Sequence, residues 1–255
     1  MNRFTEKIQA AEAGKTHLFS VGQAGYILKS RSGQLLGIDL YLSECVERLE
    51  GHMGFKRLLP QILEPEELTL DGLIASHPHW DHFDVDAMPG LMKNGKTRLF
   101  ASVDCGALVR DLGLSEERIC YVTPGEARQF GDYTLHFVNC DHGSGAPDAV
   151  GVVIELDGKR VFFAGDTCLR LDRTAEILQF GPIDVMLAPI NGAYGNLNEA
   201  ECVRLAEAVK PRLTVPCHYG MFASHGGNPG IFYEAMKQHT ELPMLLMAMG
   251  EAYSF

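Results

Sequence analysis

Three imidazoles and a carboxylate fall within six consecutive residues, His77-Pro78-His79-Trp80-Asp81-His82. They follow the apolar run Leu73-Ile74-Ala75-Ser76, which has the length and composition of a short buried strand. His77 and His79 are two apart, so in extended backbone their side chains point the same way. Pro78 reinforces this, because a residue before proline is pushed towards extended conformations. Asp81 and His82 come on the turn that follows and can reach a second point a few ångströms away. Neutral imidazole nitrogen and carboxylate oxygen are ligands for Zn, Mn or Fe. The segment therefore reads as a metal-binding turn at a strand end, against the plainer alternative of a histidine-rich surface loop.

Partners for the segment appear downstream in Asp141-His142-Gly143, Ala164-Gly165-Asp166-Thr167 and Pro216-Cys217-His218-Tyr219-Gly220. Each follows an apolar run, Leu135 to Val138, Val161 to Ala164 and Leu213 to Val215, and so sits at a strand-to-loop junction, where α/β proteins build their sites. The expected sorting puts His77, His79 and His142 around one metal, and Asp81, His82 and His218 around a second. Asp166 is expected to bridge them, since a carboxylate can offer one oxygen to each ion.

An internal echo points to the architecture. Gly25–Lys29 and Gln34–Asp39 bracket a turn at Arg31-Ser32-Gly33. Gly151–Glu155 and Val161–Asp166 bracket another at Asp157-Gly158-Lys159, and both hairpins end in aspartate. Asp71 to His77 is mirrored by Asp184 to Ile190. Helical segments follow each, clearest from Asn198 to Ala206, where Asn198 is a good N-cap, Glu201 stands at the third helical position and Pro211 stops the helix. Residues 1–13 are Ala- and Glu-rich and read as helical. A duplicated β-rich half carrying helices suggests two sheets packed face to face with helices outside both. No linker separates the halves, so the expectation is a single domain over residues 1–255 with pseudo-halves of about 1–145 and 146–255.

Composition narrows the function. At 255 residues and 46% hydrophobic content the chain can bury a substantial core. It has no apolar stretch long enough to span a membrane and no signal-like N-terminus, so a cytoplasmic location without membrane contact is expected. Seven cysteines, an odd number without a Cys-x-x-Cys pair, suit thiols in a reducing compartment. A formal charge of −11 argues against a nucleic-acid partner, because phosphate backbones demand clustered Lys and Arg. It leaves room for a small anionic substrate, since metal ions invert the local field.

The order His-x-His-x-Asp-His, His, Gly-Asp-Thr, His resembles the metallo-β-lactamase superfamily. Phe19 to Tyr26, Ile38 to Ser43, Pro189 to Gly192 and Pro216 to Phe222 are similar to the L-ascorbate-6-phosphate lactonase-like subfamily. The resemblance runs from about Phe19 to Ile231. It implies an α/β four-layer αββα sandwich with an internal pseudo-twofold repeat and the metals in a cleft at one edge of the sheets. It also implies a binuclear hydrolase using a metal-activated hydroxide, with Zn or Mn favoured over Fe. Asp81 would be the catalytic carboxylate. Asp39, at a strand end, would accept a hydrogen bond that fixes a ligand histidine's tautomer, or else cap a turn. Ser76 and Thr167 are further such neighbours.

On this reading the substrate is a small molecule, a lactone or ester of a sugar acid or sugar phosphate. A phosphodiesterase acting on a cyclic or linear nucleotide is the alternative, and a metal-free module of the same fold is a third. A redox di-iron role is disfavoured, because His79 stands where that branch carries glutamate. Asn191, Tyr194 and His225, in glycine-relieved polar loops, are the candidate substrate contacts. His17, His52, His136 and His239 read as structural. Self-association into a homo-oligomer stays open.

Overall fold

The computed structural model describes residues 3–255. They form two compact units, one running to Val122 and taking in Ala248–Phe255, the other Thr123–Met247.

The first unit begins with α1 (Arg3–Ala10), so the helix expected over 1–13 stops at Ala10, and residues 1–2 lie outside the described ones. Then come β1 (His17–Gly22), β2 (Gly25–Lys29), β3 (Leu35–Ile38), α2 (Cys45–Glu50), β4 (Gly72–Ala75), α3 (Met88–Met92), β5 (Arg98–Ser102), α4 (Gly106–Asp111) and β6 (Ile119–Val122). A C-terminal strand, Ala252–Ser254, pairs antiparallel with β1 and completes a seven-stranded sheet that continues in order from β1 to β6. The first three strands form an antiparallel meander, whereas β3 to β6 run parallel. Every residue of β4 is buried, which is why its sequence is continuously apolar rather than alternating. Phe4 and Ile8 of α1, Met88, Leu91 and Met92 of α3 and Val109 of α4 join Phe19, Ile27, Leu73 and Leu99 in one core.

The second unit contains β7 (Ala127–Phe130), β8 (Tyr133–Asn139), β9 (Val150–Leu156), β10 (Lys159–Phe163), α5 (Thr174–Leu178), β11 (Val185–Pro189), α6 (Glu199–Val209), β12 (Thr214–Cys217) and α7 (Pro229–His239). Its six-stranded sheet has the order β12-β11-β10-β9-β8-β7, antiparallel from β7 to β10 and parallel from β10 to β12. The echo read from the sequence is thus a real repeat of construction: each unit leads from an antiparallel hairpin into parallel strands. Asp157-Gly158 makes the β9–β10 turn with φ of 52° and 75°, as a two-residue turn requires. Helix α6 carries the expected capping box: Asn198 accepts from the Glu201 N–H, and the Glu201 side chain accepts from the Asn198 N–H. Its C-cap is Lys210, immediately before Pro211. Val153, Phe162, Met186, Ala188, Val203, Ala206, Phe232 and Met236 pack in this unit's main core.

One buried charge ties the segment after β3 to the segment after β4. Asp84 is inaccessible to solvent, and its carboxylate accepts from the backbone N–H groups of Leu42 (2.8 Å), Ser43 (2.7 Å), Asp86 (3.1 Å) and Ala87 (3.0 Å) and from Ser43 Oγ (2.6 Å). Deleting it would strand five donors, four of them on the backbone. Asp84→Ala should therefore destabilise the metal-free protein by about 3 kcal/mol or more in a urea titration. Asp86→Ala, which breaks only the exposed pair with Arg48, should leave the midpoint essentially unchanged.

Candidate metal centre

In the first unit the histidine segment leaves β4 at Ser76 and turns back through hydrogen bonds from the His82 and Phe83 N–H groups to the His79 carbonyl (2.9 and 2.7 Å). This turn brings His82 over His77, with ring centroids 4.0 Å apart, and places His79 beside them, 4.7 Å from His77. His77 and His82 are buried, Asp81 is half-buried and His79 is exposed. Asp39, His77 and His82 offer ligand-type atoms within 4.8 Å of one another.

Asp39 fixes the ring tautomers. Fully buried at the end of β3, it accepts from the Ser76 N–H (2.8 Å), from Ser76 Oγ and from His82 Nδ1 (2.6 Å). The proton on His82 Nδ1 leaves Nε2 as a lone-pair donor. Ser76 has one hydroxyl proton and gives it to Asp39, so towards His77 Nδ1, 2.9 Å away, it can only accept. His77 is thereby protonated at Nδ1, and its Nε2 lone pair lies 3.0 Å from His79 Nδ1. Of the two sequence readings of Asp39, the tautomer-fixing one matches the contacts. Ser76 joins it, whereas Thr167 does something else: its Oγ1 accepts from the Asp141 N–H and donates to the Cys168 carbonyl, bracing a loop.

In the second unit His142 follows β8, Asp166 follows β10 and His218 follows β12, all three buried. Asp166 Oδ2 lies 3.1 Å from His218 Nε2 and 3.9 Å from His142 Nε2. In the first unit Asp81 Oδ2 lies 3.6 Å from His82 Nε2. Two donors about 2 Å from one ion at a tetrahedral angle are about 3.3 Å apart, so these separations suit a shared divalent cation. The donor set, imidazole nitrogens with carboxylates and no thiolate, fits Zn, Mn or Fe. Burial pushes the neighbouring Cys168 thiol above its ordinary range, and no cysteine forms a disulfide.

Two contacts were not legible as site residues. Gln23, at the tip of the β1–β2 hairpin, donates from Nε2 to Asp81 Oδ2 at 2.8 Å. Asn196 donates from Nδ2 to Asp166 Oδ2 at 2.7 Å. Both fall in segments that the sequence marks, Phe19 to Tyr26 and the glycine-relieved loop from Asn191 to Asn196, but without a signal that separates them from their neighbours.

The three candidate substrate residues also gather in the second unit. Tyr194 is 56% exposed, with its ring 5.5 Å from that of His225. His225 stacks on His218 at 5.1 Å and meets Phe222 edge-on at 5.0 Å. Asn191 is buried at 3% exposure, and neither atom of its carboxamide is hydrogen-bonded among the described residues. Gly226 lets the His225 loop come this close, because a Cβ there would lie 2.6 Å from the Asn191 carbonyl oxygen. Of the histidines read as structural, His17 bonds Ser254 and the Glu12 carbonyl, and His136 stacks on Phe180.

Backbone strain is concentrated at these positions. Six described residues other than glycine have positive φ, and four of them are Gln23, Asp39, Tyr194 and His218. The remaining two are the hairpin-turn Asp157 and the helix-capping Lys210. Strained backbone persists where surrounding contacts over-determine it, as they do around a functional site.

Residues 41–219 match the beta-lactamase superfamily domain. The chain is 28% identical over 249 residues to a UPF0173 metal-dependent hydrolase from Anaeromyxobacter dehalogenans, covering 92% of this chain and 86% of that one. Among solved structures it is similar to the isothiocyanate hydrolase from Delia radicum gut bacteria, with a TM-score of 0.75 and 21% identity, over 94% and 99% of the two chains. It is also similar to the metallo-beta-lactamase fold protein YhfI from Bacillus subtilis, with a TM-score of 0.71 and 16% identity, over 95% and 100%. The chain belongs to the beta-lactamase superfamily and has the metallo-β-lactamase fold, the α/β class expected from its sequence.

Asp39→Asn can still accept a hydrogen bond but loses the charge that stabilises the His82 Nδ1 proton. It should weaken zinc binding by about 10- to 100-fold, measured by chelator competition. Unchanged affinity would remove the orienting role.

Proposed function

We propose that the chain is a metal-dependent hydrolase whose two ligand sets serve one binuclear centre, and that it opens a lactone or ester of a small polar acid. His77, His79 and His142 would hold one ion, and Asp81, His82 and His218 the other, with Asp166 shared. Zinc or manganese suits these donors, and iron less so. Support comes from the donor separations within each unit and from relatives named as metal-dependent hydrolases. No helix among the described residues is long and apolar enough to cross a membrane.

When bound, the ions would supply Lewis acidity and bring a water's pKa near neutrality. The protein's part is orientation and proton handling. Asp39 and Ser76 keep the His77 and His82 lone pairs directed outward. Asp81 has acceptor capacity beyond its bond from Gln23 and would align the attacking water through a carboxylate oxygen. A lactone suits such a site because its leaving group stays tethered and needs little separate acid catalysis.

The observation that carries the substrate reading is the Asn191 carboxamide, buried with neither atom hydrogen-bonded among the described residues. It offers a neutral donor and a neutral acceptor, which match a carbonyl and a hydroxyl of a substrate. Phosphoryl groups call instead for Arg or Lys clamps, and neither 191–196 nor 218–228 contains one. Tyr194 and His225 would flank the same molecule, with the His225 imidazole meeting its anionic group.

A panel of a sugar-acid lactone, an aryl ester, a phosphodiester and an isothiocyanate, each with zinc and with manganese, tests this. The lactone or ester should have the highest kcat/KM. A best rate on the phosphodiester or the isothiocyanate would replace the substrate assignment. Asn191→Ala should lower kcat/KM for the best substrate by about 5- to 30-fold, the worth of one or two buried hydrogen bonds, with metal content unchanged. Asp166→Asn should lose bound metal on dialysis and nearly all activity. Asp157→Asn, at a turn where asparagine tolerates positive φ, should match the wild type. Equal effects of these two substitutions would remove the shared-ligand role of Asp166.

A further inference from the structure

The two candidate carboxylate ligands share a feature. Each accepts a hydrogen bond from a buried side-chain carboxamide on Oδ2, the oxygen that faces a ligand imidazole. Gln23 Nε2 stands 2.8 Å from Asp81 Oδ2, which is 3.6 Å from His82 Nε2. Asn196 Nδ2 stands 2.7 Å from Asp166 Oδ2, which is 3.1 Å from His218 Nε2. Gln23 is 5% exposed and Asn196 6%. The two are built differently, one in the β1–β2 turn and the other in the loop between β11 and α6, yet they present the same group to the same kind of atom.

We infer that Gln23 and Asn196 are positioning residues for metal binding, each holding one carboxylate ligand in the orientation that presents Oδ2 to the ion. The inference rests on the ligand assignment made above. A carboxamide is well suited to the task. Facing a carboxylate oxygen, only its NH2 end is compatible, so the carboxylate is held as an acceptor. Being neutral, it neither repels a divalent cation nor neutralises the ligand, as lysine would do. Its oxygen is a weaker ligand than a carboxylate, so it does not displace the group it orients.

The backbone shows that Gln23 is held in place. Its φ is 53°, unfavourable for any residue with a Cβ. The turn around it is also tight, since a Cβ on Gly25 would lie 3.2 Å from the Asp39 carbonyl oxygen and 3.0 Å from that of Gly22. The hairpin tip is thus packed against the residue that orients His82 while its side chain reaches Asp81. A residue that merely filled the core would need neither the polar group nor the strained backbone.

The test is a zinc titration of the metal-free protein against a chromophoric chelator, which needs no substrate. Gln23→Met keeps the length and removes the donor. It should weaken zinc binding by about 10- to 100-fold, as loss of an outer hydrogen bond to a ligand typically does, with the melting temperature of the metal-free protein close to wild type. In an Asp81→Ala background the same substitution should change the remaining affinity by no more than about twofold, because its effect passes through Asp81. Asn196→Leu should behave in the same way relative to Asp166→Ala. If Gln23→Met is insoluble, Gln23→Asn retains the polarity but is too short to reach, and the same loss is expected. Wild-type affinity in Gln23→Met and Asn196→Leu, or losses that persist undiminished without the carboxylate, would overturn the inference while leaving the ligand assignment intact. A wild-type protein that takes up no zinc would overturn both.

Discussion

A carboxylate buried at the end of a strand cannot stand without donors, and Asp39 finds three on Ser76 and His82, in the segment that follows β4. Its bonds to Ser76 and His82 connect the end of β3 to the start and the end of the histidine segment. The proton positions on His82 and His77 follow from that arrangement, and with them the direction of each lone pair. Asp84 repeats the device one step further on, holding Leu42 and Ser43 against the start of α3. The histidine cluster of the first unit therefore rests on two fully buried carboxylates, neither of which is one of the expected metal ligands.

The second unit uses other means. Asp166 is steadied by Asn196, by the loop that Thr167 braces and by the Cys140 thiol, which donates to the Asp166 carbonyl at 3.0 Å. His218 leaves β12 with φ of 60° and lies against His225. Each unit thus brings carboxylate and imidazole to ligand spacing by itself, through its own strand ends. That is the arrangement expected where an antiparallel hairpin leads into parallel strands and the functional loops follow them.

Much of this could be read in the sequence, for identifiable reasons. The spacing of His77, His79, Asp81 and His82 marked a turn at which these side chains gather, and the runs before His142, Asp166 and His218 marked strand ends. The capping box at Asn198 and Glu201 and the Asp157-Gly158 turn are local rules that tertiary packing did not override. Gln23 and Asn196 were hidden because a carboxamide's role depends on which carboxylate it faces, 58 residues away for Gln23 and 30 for Asn196. Positive φ at Gln23, Asp39, Tyr194 and His218 was equally invisible, since each of these side chains also occurs in ordinary backbone. Asp39 was legible only as one of two readings, a cap or an orienting acceptor, until its partners were known.

The binuclear centre proposed for this chain requires seven side chains from these strand ends to share two ions. Anomalous diffraction from crystals of the protein loaded with zinc tests it most directly. Two peaks are expected, one within about 2.2 Å of ligand atoms of His77, His79 and His142, the other equally close to Asp81, His82 and His218, with Asp166 reaching both. A single peak, or peaks coordinated by residues outside this set, would contradict it.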